Sequence, residues 1–252
     1  MVKPKKHLGQ HFLKDENIAQ KIVGSLLPET ENVIEVGPGT GVLTKFLTAK
    51  TVNLFLVEID REAIPVLKDR FPTLADKIIQ ADFLKYDLSK IFNGPFSIIG
   101  NFPYNISTQI LFRALEYRNQ VTEVIGMFQK EVAERIASPP GSKKYGILSV
   151  LLQIYFDIEY LFTVDENVFF PPPKVKSAVI RLRRNNVEHP GCDEKQLVSL
   201  VKVAFNQRRK MLRNPLKVFT FEDNEKISNL MTKRAEQLSK EDFIFLVNSI
   251  SR

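Results

Sequence analysis

The stretch "NVIEVGPGTGVL", residues 32–43, decides how this chain folds. Its first half is a short apolar run, which is typical of a strand buried in a sheet. Its second half places Gly37, Gly39 and Gly41 where that strand would end and a helix would begin. Glycine lets a ligand approach the backbone closely, and a helix start presents free N–H groups. The stretch predicts a ligand site, although such glycines could also serve only the turn.

Similar apolar runs recur along the first half of the chain and alternate with helical patterns. Runs that are apolar throughout indicate parallel strands covered by helices on both faces. The predicted strands are residues 32–37, 53–60, 77–84, 96–101 and 123–129, and the predicted helices are residues 15–27, 41–50, 61–71 and 107–117.

The pattern changes after Lys130. Residues 130–138 have helical spacing, residues 147–164 read as a helix running into a strand, and residues 176–184 read as a last strand. We expect these two late strands to form an antiparallel pair at one edge. The predicted fold class is therefore α/β, with a mostly parallel seven-stranded sheet.

A polar, turn-rich stretch, residues 185–192, is a plausible linker between two domains. The predicted domains are residues 1–184, which hold the sheet, and residues 185–252, which form a small helical domain. Helical spacing in the second domain covers residues 193–214, 225–235 and 239–251, and Ser239 opens a "SKED" N-cap pattern.

The charge balance of the chain suggests what kind of molecule it binds. The chain has 36 Lys and Arg against 29 Asp and Glu, a formal net charge of +7. An excess of this kind suggests a polyanion such as nucleic acid, although a solvated basic surface would look the same. One cysteine and three histidines leave little for a metal site, so none is expected. The chain lacks a long apolar run and an apolar signal segment, so we expect a cytoplasmic monomer with no membrane partner.

Two acids fall at predicted strand ends beside the glycine loop. Glu58 lies about 20 residues beyond the loop, where a carboxylate can accept both hydroxyls of a ribose. Asp82 could accept an adenine amino group, with Phe83 beside it as an apolar surface. Val42 stands where the dinucleotide fingerprint needs its last glycine, which argues against NAD. Either acid alone could be a solvated carboxylate, but together with the glycines they predict a nucleoside cofactor.

This set of features resembles the Rossmann-like class I S-adenosylmethionine-dependent methyltransferases. The resemblance implies that S-adenosyl-L-methionine is the cofactor. It also implies a role for Glu35, the acid before the loop, because in that superfamily this acid often helps to hold the methionine ammonium group.

The motif "NFPY", residues 101–104, ends the fourth predicted strand in the same crevice. The Asn101 amide and the Pro103 carbonyl could each accept one N–H of an exocyclic amine, and Tyr104 could stack on its ring. Read alone, the motif could be a turn with core aromatics. It resembles the Asn-Leu-Pro-Tyr signature of amino-group methyltransferases acting on adenine. Phe102 departs from that signature, at a position expected to pack.

Further segments narrow the resemblance. They are "HLGQHFL" (7–13), "QKEVAERI" (129–136), "YGILSVLLQ" (145–153), "FFPPPKVKSAVIRL" (169–182), "AFNQRRKMLRN" (204–214) and "RAEQLS" (234–239). Together they resemble the bacterial dimethyladenosine transferases of small-subunit ribosomal RNA. The resemblance implies transfer of two methyl groups to N6 of each of two adjacent adenosines near the 3′ end of 16S rRNA, within the small subunit or its precursor.

Site residues follow from the same resemblance. Phe169 matches an aromatic that packs on the second face of the target base, opposite Tyr104. His11 replaces an Asn seen in many members, at a position where a main-chain contact would tolerate the change. The implied cofactor contacts are His11, Leu13, Glu35, Gly37, Gly39, Glu58, Asp82, Phe83 and Asn101.

A basic stretch in the second domain predicts phosphate contacts, because it contains no acidic residue. Two other functions stay open at this point: a large-subunit rRNA methyltransferase of the macrolide-resistance type, and a non-catalytic RNA-binding assembly factor of the same fold. The basic residues are Arg208, Arg209, Lys210, Arg213 and Lys217.

Overall fold

The computed structural model describes residues 2–251, whose contacts separate into two compact units. The first holds the residues up to Ala133 together with Ile158–Arg184, and the second holds Glu134–Asp157 together with the residues from Asn185 onward. One boundary falls after Arg184, where the linker was predicted, but residues 134–157 group with the C-terminal residues. The division into domains 1–184 and 185–252 stays a prediction.

The sheet of the first unit has the predicted composition. Its seven strands run in the order β4-β3-β2-β5-β6-β9-β7. The five early strands pair in parallel, β9 pairs antiparallel with β6, and β7 forms the edge, so the late strands lie at one edge as predicted. These strands are β2 Asn32–Val36, β3 Asn53–Glu58, β4 Ile78–Gln80, β5 Phe96–Asn101, β6 Val121–Gln129, β7 Phe156–Val164 and β9 Ser177–Arg184.

Two further strands, β1 Phe12–Leu13 and β8 Phe169–Phe170, form a separate antiparallel pair. The helices include the one that runs into β7, as predicted. They are α1 Glu16–Gly24, α2 Thr44–Leu47, α3 Ala63–Arg70, α4 Ser107–Glu116, α5 Lys130–Ala137, α6 Ile147–Tyr155, α7 Glu194–Asn206, α8 Glu225–Met231 and α9 Lys240–Asn248. None of the helices between residues 2 and 251 has the length and hydropathy needed to cross a membrane.

Several predicted elements are shorter than expected, including α2, which covers only Thr44–Leu47 where residues 41–50 were predicted. Strand β4 ends at Gln80, because the Asp82 carboxylate accepts the Leu84 N–H at 3.0 Å and turns the chain. Helix α7 ends at Asn206, because the residues that follow pair elsewhere: the Leu212 N–H donates to the Lys233 carbonyl at 2.8 Å. The N-cap predicted at Ser239 is confirmed by reciprocal bonds of 3.1 Å with Asp242.

Phe102, the departure from the signature, fits into a slot made by two glycines. Gly100 and Gly126 are paired residues of β5 and β6. A side chain at Gly100 would lie 2.6 Å from the Phe102 ring and 2.7 Å from the Val36 carbonyl, and one at Gly126 would collide with the same ring. Phe102 is fully buried and meets Phe128 edge to face, with ring centroids 5.4 Å apart. Its packing role, expected from the sequence, is confirmed.

We therefore expect Gly126→Ala to destabilise the protein by about 1–3 kcal/mol, the usual cost of overpacking a filled core. Displacement of Phe102 should also disturb Asn101 and lower the methyl transfer that the resemblance implies. Thermal and denaturant unfolding measure the first effect. Gly94→Ala is the matched control, since a methyl group at Gly94 meets no atom within 4 Å. Equal stability of the two variants would contradict the close packing of the Phe102 ring against Gly126.

Candidate active site

A cavity in the first unit opens at the carboxyl ends of β2, β3 and β5, the usual ligand position of an open α/β sheet. Most of the predicted site residues meet there. Leu13 and Glu35 line a smaller cavity, which shares Gly37 and Asn101 with the larger one. The predicted residues that line the larger cavity are His11, Gly37, Gly39, Glu58, Asp82, Phe83, Asn101, Pro103 and Tyr104.

The glycine loop bends with positive φ at Gly37, Gly39 and Gly41, at 64°, 56° and 81°. Its amides are used inside the protein: those of Gly37 and Gly39 donate to the Val57 carbonyl at 2.9 Å and to Glu58 Oε2 at 2.8 Å. The Gly41 amide donates to the Pro38 carbonyl at 2.8 Å. The free N–H groups expected from the sequence are therefore not offered by these glycines. At these glycines the loop presents backbone with no side chain and no free N–H, a surface that suits a nucleoside better than a phosphate.

Glu58 joins the loop to the end of β3. Its second oxygen, Oε1, accepts the Asp60 N–H at 2.9 Å, and the side chain is almost fully buried. Burial raises the pKa of Glu58, while the N–H donors of Asp60 and Gly39 oppose that rise. Each carboxylate oxygen has a second lone pair, so Glu58 can still accept ribose hydroxyls as predicted.

The side of the cavity where the sequence predicts the adenine also has the expected residues. Phe83 is buried and presents an apolar wall, and Asp82 holds the loop that carries it. Ile59, which sequence reasoning missed, adds a second apolar side chain that lines the cavity while 48% exposed. Its position directly after Glu58, a predicted cofactor contact, was the signal that could have identified it.

Glu35 lies in the smaller cavity with almost no exposure. Its Oε2 accepts the Thr44 hydroxyl at 2.7 Å. Burial raises the pKa of Glu35 to about 8; the Thr44 bond opposes this rise and the nearby Glu58 adds to it. At neutral pH the free protein therefore holds Glu35 mostly protonated, ready to ionise beside a cation.

Asn101 is oriented by the N-terminal segment. Its Nδ2 donates to the His11 carbonyl at 2.8 Å. A carbonyl only accepts, so the amide nitrogen must face His11, and Oδ1 is left to accept from a substrate. The Pro103 carbonyl already accepts the Ile106 N–H at 3.1 Å but has a second lone pair. Tyr104 is fixed by a hydrogen bond of 2.5 Å shared with Ser177.

Phe169 is buried, and its expected role against the target base stays a prediction. The side chain is 1% exposed, belongs to the hydrophobic core and lines neither cavity. Its backbone pairs with Leu13, which lines the smaller cavity, and the backbone of Phe170 pairs with Phe12, which lines both cavities. Phe170 is 57% exposed and likewise lines neither cavity.

The N-terminal wall of the cavity was only partly foreseen. Gly9 has a φ of 65°, and a side chain there would collide with the Asn105 amide. Leu8, Gln10 and Asn105 also line the cavity. Among the described residues 2–251, no group of three or more His, Cys, Asp or Glu side chains could hold a metal ion.

Fold and site together define a class I S-adenosylmethionine-dependent methyltransferase. The model of the family described as "Ribosomal RNA adenine dimethylase" matches residues 1–252, and the chain belongs to that family. The Ribosomal RNA small subunit methyltransferase A of Flavobacterium johnsoniae is 56% identical over 251 residues, which are 99% of this chain and 96% of that protein. The protein of the same name from Parabacteroides distasonis is 55% identical, over 98% of this chain and 93% of its own length.

Solved structures agree on the fold. A dimethyladenosine transferase from Plasmodium falciparum superposes with a TM-score of 0.79 at 23% identity, over 94% of this chain and 96% of that one. The 23S rRNA methyltransferase ErmE superposes with a TM-score of 0.72 at 25% identity, over 94% and 98%. The fold class predicted from the sequence is confirmed.

Glu35 should couple cofactor binding to proton release. The cationic methionine end favours the ionised carboxyl, so affinity should increase by up to about tenfold per pH unit until the pH reaches the pKa of Glu35 near 8, and then level off. Calorimetry in buffers of different ionisation enthalpy measures the released proton. Glu35→Gln should bind without this release, while exposed Glu31→Gln should behave as the unmodified protein; release that persists in Glu35→Gln would refute the coupling.

Proposed function

We propose that this chain transfers methyl groups from S-adenosyl-L-methionine to N6 of two adjacent adenosines near the 3′ end of 16S rRNA, two to each. The family and the high identity to small-subunit enzymes support the substrate. The orientation of the Asn101 amide by the His11 carbonyl carries the proposal for the chemistry. We also propose that the protein acts as a cytoplasmic monomer on the small subunit or its precursor.

The proposed reaction depends on the orientation of the adenine amine and does not need a general base to deprotonate it first. The lone pair of adenine N6 is delocalised into the ring, so the amine is a poor nucleophile. Asn101 Oδ1 and the Pro103 carbonyl can each accept one N–H, which aims the lone pair at the sulfonium methyl and stabilises the charge that develops on nitrogen. The methylated ammonium is strongly acidic and loses its proton afterwards. S-Adenosylmethionine supplies the electrophilic methyl group when bound.

The proposed cofactor placement uses both cavities. The larger one would take the adenosine, with Glu58 on the ribose and Asp82 and Phe83 on the adenine. The smaller one would take the methionine end near Glu35 and Leu13. Gly37 and Asn101 border both, so the sulfonium centre would lie between them, next to the acceptor amide. Gly39 and His11 complete the wall.

The second unit offers a basic surface for RNA. Arg209, Lys210, Arg213 and Lys217 are exposed, and charge of one sign suits a phosphate backbone. Arg208 is less free, because its guanidinium donates to the Lys143 carbonyl at 2.5 Å and lies 3.6 Å from Glu236. We propose that the first four contact phosphates.

The decisive experiment offers the purified protein two substrates, unmethylated small subunits and isolated 23S rRNA, with radiolabelled S-adenosylmethionine. We expect label only in small subunits, and mass spectrometry of the RNA should locate it as dimethyladenosine at two adjacent positions. Label in 23S rRNA would identify the macrolide-resistance type instead. Cofactor binding without transfer to either RNA would indicate an assembly factor.

Asn101→Ala should slow transfer by about 10²-fold or more, as the loss of one charge-stabilising contact typically does. After the first methylation only one N–H remains, so one acceptor is surplus in the second round. The variant should therefore change the ratio of monomethyl to dimethyl product, measured by mass spectrometry. An unchanged ratio at a reduced rate would argue against two separate acceptor roles.

We propose that Phe170, which is 57% exposed and pairs with Phe12 of the cavity wall, stacks on a base of the substrate RNA. We expect Phe170→Ala to weaken binding of the substrate RNA about fivefold or more, because one base–aromatic stack contributes roughly 1–3 kcal/mol. Phe170→Tyr should keep the affinity. Phe169→Leu should lower thermal stability and leave RNA affinity nearly unchanged; the opposite pattern, with RNA affinity lost only at Phe169, would support the assignment of Phe169 drawn from the sequence.

A further inference from the structure

Residues 5–13, here called the strap, are anchored at both ends, and the middle of the strap forms one wall of the larger cavity. At the first anchor, Lys5 Nζ lies 2.6 Å from Asp60 Oδ1, and Gln10 Nε2 donates to Asp60 Oδ2 at 3.1 Å. Gln10 Oε1 also accepts the Lys5 N–H at 2.8 Å. Both oxygens of one carboxylate therefore hold two side chains of the strap.

The first anchor is built on a buried charge. The Asp60 side chain is 0% exposed, while Lys5 lies at the surface with 25% of its side chain exposed and a second contact to Glu62 at 3.0 Å. Burial by itself would raise the pKa of Asp60, but the bonds from Lys5 and Gln10 outweigh it and the pKa is lowered. Asp60 therefore stays ionised at neutral pH and keeps its attraction for Lys5.

The second anchor lies on the acceptor side. The His11 carbonyl holds the Asn101 amide, and His11 Nδ1 donates to the Pro171 carbonyl at 2.7 Å. Gly9 packs against Asn105 so closely that no side chain fits between them. Every residue from Leu8 to Phe12 lines the cavity between the two anchors.

Asp60 also contacts the cofactor side directly through its backbone, because its N–H donates to Glu58 at 2.9 Å. The turn that holds the strap and the acid proposed to bind the ribose are thus parts of one hydrogen-bonded unit. A strap detached from Asp60 would uncover the cavity beside Glu58.

We propose that Asp60 is a positioning residue that pins the strap over the bound cofactor through Lys5 and Gln10, and that the Lys5 contact sets the rate at which cofactor leaves. The inference rests on the proposed placement of S-adenosylmethionine in this cavity. Each transfer consumes one cofactor, so dimethylation of two adenosines requires repeated exchange, and the strap must open between transfers.

The test compares Lys5→Met with Lys6→Met, which removes the same charge from the next residue, where the side chain is exposed. Radiolabelled S-adenosylmethionine is bound to the full chain without RNA and chased with unlabelled cofactor. We expect release about tenfold faster from Lys5→Met, because loss of one partner of a partly buried charge pair acts mainly on the dissociation rate. Lys6→Met should stay within about twofold of the unmodified protein, and Lys5→Arg should restore slow release.

Two further readouts separate positioning from a general loss of structure. The cofactor KM of Lys5→Met should increase about tenfold, while single-turnover transfer at saturating cofactor changes far less. Release from the unmodified protein should accelerate with salt, which screens the pair, and release from Lys5→Met should respond less. Equal release rates for Lys5→Met and Lys6→Met would overturn the proposal.

The outcome is distinguishable from failure of the proposed function. Absence of cofactor binding to the unmodified protein would refute the placement in the cavity. Binding with strap-dependent release, but without methylation of small subunits, would refute the substrate and leave the role of Asp60 intact.

Discussion

The site depends on one buried carboxylate, that of Glu58. It accepts an N–H from the glycine loop at Gly39 and another from the turn at Asp60, and so ties the ends of two neighbouring strands together. Without it, two backbone donors would lose their partner in a buried place, which typically costs about 1–3 kcal/mol each. The loop geometry, the proposed ribose position and the anchor of the strap all rely on this side chain.

The side of the cavity proposed to hold the methyl acceptor is organised by the main-chain carbonyl of His11. The His11 main chain decides which end of the Asn101 amide faces the substrate, so the identity of the His11 side chain matters little for that task. This agrees with the expectation from the sequence that a main-chain contact at position 11 tolerates a histidine. The histidine ring has a different function, since it holds the Pro171 carbonyl.

Local patterns predicted most of the fold. Apolar runs located the strands, and the glycine loop, Glu58, Asp82 and Asn101 were placed in one crevice because parallel strands end at one edge. Local patterns could not predict burial where strand pairing decides it. Phe169 and Phe170 are adjacent in sequence, and only the register with Leu13 and Phe12 tells which one is buried.

Long-range contacts explain most of the other features that the sequence did not predict. Helix α7 stops because the residues after it pair with the chain near Lys233, and no local signal announces this. The bond between Lys5 and Asp60 joins residues 55 positions apart, so neither residue stood out in the sequence. Ile59 was overlooked because an apolar residue between two acids looks like an ordinary end of a strand.

Phe102 also bears on how such a site can change over time. Its ring fills the space that Gly100 and Gly126 leave open on two adjacent strands. A methyl group at position 126 would collide with the Phe102 ring and would lie 2.7 Å from the Phe128 ring, so a smaller residue at 102 alone would not make room for it. Two separate aromatic positions therefore keep residue 126 a glycine, and a larger residue there would require both rings to move or to be replaced.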